Sequence, residues 1–129
     1  METEPDRRFA MLVQALRLAA APPERAVALL PEFVAVPDEV ADELDIWFRF
    51  GPEFVSKGLL TADQLRGIRA IDELLASVSG PAFAEFWSMA SFGADERWKQ
   101  VRRLAHEVLL SMGLSPDLDG LHGITYVQG

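Results

Sequence analysis

The sequence predicts an all-α protein, a compact bundle of five to seven short-to-medium helices with an irregular C-terminal tail. Three observations predict it. Apolar residues return every three or four positions in successive segments. Proline or glycine punctuates those segments at intervals of a helix length. The one β-branched run, Phe33 to Val36, has no second strand to pair with and reads as an extended connection. A chain of 129 residues that is 50% hydrophobic can bury roughly two-thirds of its unfolded surface and needs no staple to do so. Residues 1–114 are expected to form a single domain and 115–129 the tail.

The first amphipathic segment runs from Asp6 to Ala21, with Phe9, Leu12, Val13, Leu16 and Ala20 on one face. Pro22-Pro23 ends it, and Pro23 suits the first turn of a short helix that Pro31 closes after Leu30. Helical spacing resumes from Asp38 to Phe50 through Val40, Leu44, Trp47 and Phe48, and Gly51-Pro52 stops it. A turn or two from Glu53 to Lys57 leads to Gly58. Thr61 with Gln64 three residues later forms a capping box, the sharpest boundary in the chain, opening a helix to about Val78. Its buried stripe is Ile68, Ile71, Leu74, Leu75 and Val78, while Arg66, Arg69, Asp72 and Glu73 face water. After Gly80-Pro81, residues Phe83, Phe86 and Trp87 share one face of a short helix from Ala82 to about Ala90, broken around Gly93. The last helix starts near Asp95, carries Trp98, Val101, Ala105, Val108 and Met112 on one stripe, and ends at Gly113 in a left-handed conformation.

Composition excludes several chemistries. The chain has no cysteine, so thiol nucleophiles, CxxC redox centres and zinc–thiolate sites are out. Its two histidines, His106 and His122, have no identifiable acid partner, and no GxSxG elbow is present, so no catalytic residue is assigned. Gly120-Leu121-His122-Gly123 lacks the lysine and the strand-to-helix setting of a phosphate loop. Glu2, Glu4 and Asp6 stand where a signal peptide would be basic, and no apolar run approaches a membrane span, so a cytoplasmic protein is expected. A net charge of −8 disfavours nucleic acid and anionic membranes and favours cationic partners. The basic residues Arg97, Lys99, Arg102 and Arg103 share their helix with Asp95, Glu96 and Glu107 and read as an ordinary charged face.

The charge is unevenly placed. Between Glu32 and Glu53 seven acids face only Arg49, a net −6 out of the chain's −8. On a helix Asp38, Asp42 and Asp45 form one stripe and Glu39 and Glu43 a neighbouring one. Like charges four apart cost about 0.2–0.5 kcal/mol per pair, so helix stability alone does not select this pattern. Carboxylates beside large rings suit a cationic protein surface, and the expected partner-binding set is Asp38, Glu39, Asp42, Glu43, Asp45, Trp47, Phe50, Glu53 and Phe54. Two other readings of the same residues stand beside it. Asp38, Glu39 and Asp42 are oxygen ligands for a metal-dependent hydrolase or a small-ligand protein, although Glu39-x-x-Asp42 lacks the second acidic pair such hydrolases place on a facing helix, and no metal or other cofactor is assigned. A housekeeping domain with a merely solvating acidic face is the third reading, since anions also favour a helix N-terminus.

Two stretches, Leu29-Leu30-Pro31-Glu32-Phe33-Val34-Ala35-Val36-Pro37-Asp38-Glu39-Val40-Ala41 and Trp98-Lys99-Gln100-Val101-Arg102-Arg103-Leu104-Ala105-His106-Glu107-Val108-Leu109, resemble small acidic bacterial proteins, among them immunity partners of polymorphic toxins. The resemblance is one of texture and carries no catalytic signature. It implies a cytoplasmic helical protein that occludes a basic toxin through its acidic face.

Overall fold

The computed structural model describes residues 3–121, and these are all-helical. Seven α-helices and one 3-10 helix are present among them, more than the five to seven expected: α1 (Glu4–Ala20), α2 (Pro23–Leu29), α3 (Val36–Phe48), α4 (Gly51–Ser56), α5 (Ala62–Ser77), the 3-10 helix Pro81–Trp87, α6 (Met89–Ala94) and α7 (Glu96–Ser111). No helix among the described residues is long and apolar enough to cross a membrane.

The extra helix comes from the aromatic segment. It divides at Ser88, whose extended backbone (φ −74°, ψ 157°) breaks the run while its hydroxyl accepts the Ser91 backbone N–H and starts α6. Gly93, where a break was expected, lies inside α6.

Proline placement explains the other shifts. Five helices carry proline at their first or second position, where the missing N–H has no intrahelical partner to lose. Pro37 and Pro52 therefore start α3 and α4 two residues earlier than a reading of them as stops suggests. The expected extended stretch at Phe33 to Val36 is instead a turn, closed by Val34 N–H to the Pro31 carbonyl at 3.0 Å, and Val36 already belongs to α3.

The four long helices form a ring. α1 packs on α3 and on α7, and α5 closes the circuit by packing tightly on α7 and more loosely on α3. The inward stripes meet in one core in which Leu12, Leu16, Val40, Ile68, Ile71, Val101, Ala105 and Leu109 are at most 1% exposed. α5 and α7 approach closely at Gly67, where a Cβ would meet Val108 Cγ2 at 2.8 Å. One end of the ring is filled by aromatics. Trp98 of α7 stacks on Phe86 (4.8 Å between centroids, 11°) and meets Phe92 and Trp87 edge-on at 5.0 and 5.7 Å. Its indole N–H donates to the Phe86 carbonyl at 2.9 Å.

Gly80 turns the chain from α5 into this aromatic segment with φ +102° and ψ 167°, a region closed to residues bearing a Cβ. A Cβ there would meet nothing within 4 Å, so the cost of Gly80→Ala is backbone strain alone. The substitution is expected to lower unfolding free energy by about 1–3 kcal/mol. Gly93→Ala, also into open space but on helical backbone, should instead stabilise by up to about 1 kcal/mol. Paired urea melts check both signs.

The expected tail begins as irregular chain but is docked. After Gly113 (φ +73°), no helix follows through Leu121, yet Leu118 is 5% exposed and joins the core. The rest of that segment, with His122 and Gly123, lies outside the described residues.

Candidate interaction groove

The loose seam between α3 and α5 opens into a cleft of about 570 Å³. Asp38, Asp42 and Asp45, one stripe of α3, form one wall; Asp72, Leu75, Ala76 and Ser79 form the other, with Gly80 and Trp87 at the end. The spacing that places three carboxylates on one helical face thus delivers them to a common cleft, and α5 adds a fourth. Asp72 was expected to be a plain solvent-facing residue. Its position on α5 was readable, but the packing of α5 beside α3 was not.

Two of the four carboxylates around this cleft, one from each wall, are held above their ordinary pKa. Partial burial pushes the Asp42 carboxyl above its ordinary value, and Asp38 and Asp45 push it further. Asp72 is raised in the same way, first by burial and then by Asp45 and Glu73. Arg49 Nη2 lies 3.3 Å from Asp45 Oδ2, with both side chains about two-thirds exposed, so the pair contributes little.

A raised folded pKa means that ionised Asp42 destabilises the fold. That penalty is complete above the folded pKa, falls as pH drops through it, and is gone below the unfolded value. Asp42→Asn removes two like-charge contacts on α3 and is expected to stabilise by about 0.5–1 kcal/mol at pH 7, raising Tm by about 2–5 °C. The difference in Tm between variant and wild type should shrink as pH falls through the raised value and vanish only below about pH 3. Glu4, Asp6 and Asp95, whose carboxyls are held low mainly by hydrogen bonds from Arg7, Thr3 and Arg97, act oppositely and at lower pH. Both proteins carry them, so they cancel in the comparison.

The remaining expected contact residues lie elsewhere. Glu43 is 8% exposed and accepts the Trp47 indole N–H at 3.0 Å. Phe54 is fully buried, edge-on to Phe9 at 5.5 Å. Glu53 accepts from Arg8 Nη1 at 2.9 and 3.2 Å, and the Arg8 guanidinium sits 4.7 Å from the Phe50 ring centre. Trp47 and Phe50 are half-buried against the core, 6.0 Å apart. Glu39 is half-buried and does not line the cleft. The expectation of one surface combining both acidic rows with these rings is therefore corrected. The turn at Phe50-Gly51 folds α4 back toward α1, taking Phe54 and Glu53 with it. The cleft's own ring is Trp87, half-buried, with its indole N–H on the Val78 carbonyl at 2.9 Å. The sequence assigns it to packing, and it both packs on Trp98 and ends the cleft.

The other candidates are modest. No group of three or more His, Asp or Glu among the described residues is arranged to hold a metal ion, so the hydrolase alternative has no such ligand set there. The basic residues of α7 are mostly engaged locally: Arg97 on Asp95, Lys99 on Glu96, and Arg102 on the Phe92 carbonyl. Comparison with protein-family models, curated proteins and solved structures finds no significant match to this chain.

Proposed function

We propose that the protein is a non-enzymatic interaction module that receives a cationic segment of a partner protein in the α3–α5 groove, and that its biological form is an immunity-type inhibitor of a basic bacterial toxin or effector, acting in the cytoplasm. One observation carries the reading. Asp38, Asp42, Asp45 and Asp72 converge from two helices on one cleft in which two of them are pushed toward the neutral form. An incoming guanidinium or ammonium group would meet attraction at all four carboxylates, with Trp87 lining the cleft's end. Inhibition follows from occlusion, because a basic catalytic surface covered by an acidic one cannot reach an anionic substrate.

The test is affinity capture from native cell extract at low and high salt, comparing wild type with Asp42→Lys/Asp72→Lys. A basic protein retained by wild type, released by salt, absent from the variant, and inhibited when purified wild-type protein is added back supports the reading. Retention of the same proteins by both forms, or no inhibition of the captured protein, overturns it.

A further inference from the structure

One corner of the bundle is held by a strap. Residues 115–121 cross the junction of α1 and α2 as irregular chain. Arg17 Nε of α1 donates to the Ser115 carbonyl at 2.8 Å, and Arg25 of α2 donates to the Leu118 and Asp119 carbonyls at 3.1 and 3.4 Å. Leu118 is 5% exposed, and Leu121 packs half-buried against the core. Cavities of about 600 and 280 Å³ border Leu118, so its seat is incompletely filled.

The helix that the strap holds has few other ties. α2 is seven residues long, well short of the roughly 12–15 at which even a good isolated helix is marginal. Pro22 leaves its first turn without a side-chain cap, and Ala26 is its one buried side chain. It packs only slightly on any other helix. Leu29 and Leu30 anchor its C-terminal end, and Glu24 attracts the Arg102 guanidinium of α7. Arg25 supplies the side-chain hydrogen bonds of α2, and both end on the strap. The strap in turn loses two of its three arginine ties if α2 leaves. Neither segment alone buries enough to offset the cost of ordering its seven residues, so each depends on the other. Breaks in regular structure bound the pair: the extended Ala21 and Pro22 before α2, the turn from Pro31 to Val34 after it, and Gly113 (φ +73°) before the strap. Past that turn Val36 and Pro37 are buried and fix the start of α3 by themselves.

We propose that residues 115–121 are a latch on α2, and that strap and α2 open together as one unit while the ring of α1, α3, α5 and α7 stays folded. Opening bares Ala21 and the seat of Leu118 at the α1 end of the bundle. The inference does not rest on the acidic groove, with which the strap shares no lining residue.

The test is native-state hydrogen exchange on the full-length chain, read amide by amide by NMR and corrected for intrinsic rates. The Ala26 and Leu30 amides donate to the Pro22 and Ala26 carbonyls, both at 3.2 Å, so they report the opening of α2. In wild type they should exchange at least about a hundredfold faster than the Ala105 and Leu109 amides in the core of α7. Leu118→Ser alters no residue of α2, yet it should speed exchange at Ala26 and Leu30 by at least about fivefold. Arg17→Gln, which loosens the strap at its root on α1, should speed them about threefold. Exchange at Ala26 and Leu30 as slow as at Ala105 and Leu109 overturns the proposal, because α2 then opens only with the whole bundle. Fast exchange that Leu118→Ser leaves unchanged also overturns it, because α2 then frays without the strap. If Leu118→Ser does not fold, Arg17→Gln decides in the same way, and an unchanged rate overturns the proposal.

Discussion

Trp98→Ala is expected to lower unfolding free energy by about 3–5 kcal/mol, a large share of the roughly 5–15 kcal/mol a domain of this kind possesses. Trp98 is completely buried and contacts the rings of Phe86, Trp87 and Phe92. Alanine forfeits that packing and leaves a cavity. It also strips the Phe86 carbonyl of its 2.9 Å partner, a further cost if water cannot reach the site. Trp98→Phe keeps most of the apolar volume and loses the donor, so it should cost about 1–3 kcal/mol. Urea midpoints for the two variants separate packing from hydrogen bonding. A loss below about 1 kcal/mol for the alanine variant would mean that the neighbouring rings collapse into the space. The consequence reaches the acidic groove, because the 3-10 helix carrying Trp87 is held to α7 through Trp98.

What was legible in the sequence was local. The capping box at Thr61 and Gln64 and the left-handed Gly113 are where the spacing places them, because each depends on a few neighbouring residues. A second capping box, Thr3 with Asp6, opens α1 two residues before the expected start. Aspartate replaces the usual Glu or Gln there, which hid the pattern. The aspartate stripe of α3 was legible for the same reason as the caps, since helical geometry alone aligns residues 38, 42 and 45. Its counterpart was not. Asp72 reaches the cleft only because α5 packs beside α3, a relation between segments far apart in the chain. Nearness in sequence also misled, by grouping Phe54 and Glu53 with the aspartates when the turn into α4 sends them to α1. The Glu43–Trp47 bond was readable from its i, i+4 spacing, and it would have withdrawn Glu43 from the contact surface.

Asp42→Lys/Asp72→Lys is expected to weaken binding of the cationic partner by at least about thirtyfold at low salt, or roughly 2 kcal/mol. Each substitution turns an attraction into a repulsion inside a cleft, where close charge pairs couple by about 1.5 kcal/mol or more. Most of the loss should appear in the association rate, because the groove's field steers the encounter, and it should shrink as salt shortens the screening length from about 10 Å at 0.1 M to about 3 Å at 1 M. Net charge alone predicts a different result. Glu96→Lys/Glu107→Lys on exposed positions of α7 alters the total charge by the same amount and leaves the groove untouched, so it should weaken binding only a few-fold. Asp42→Asn/Asp72→Asn removes the attraction without adding repulsion and should fall near the geometric mean of wild type and the lysine variant. Stopped-flow rates for the four proteins across a salt series distinguish the cases. Equal losses in the α7 and groove variants would show that the partner responds to overall charge, and the groove would then have no specific claim on it.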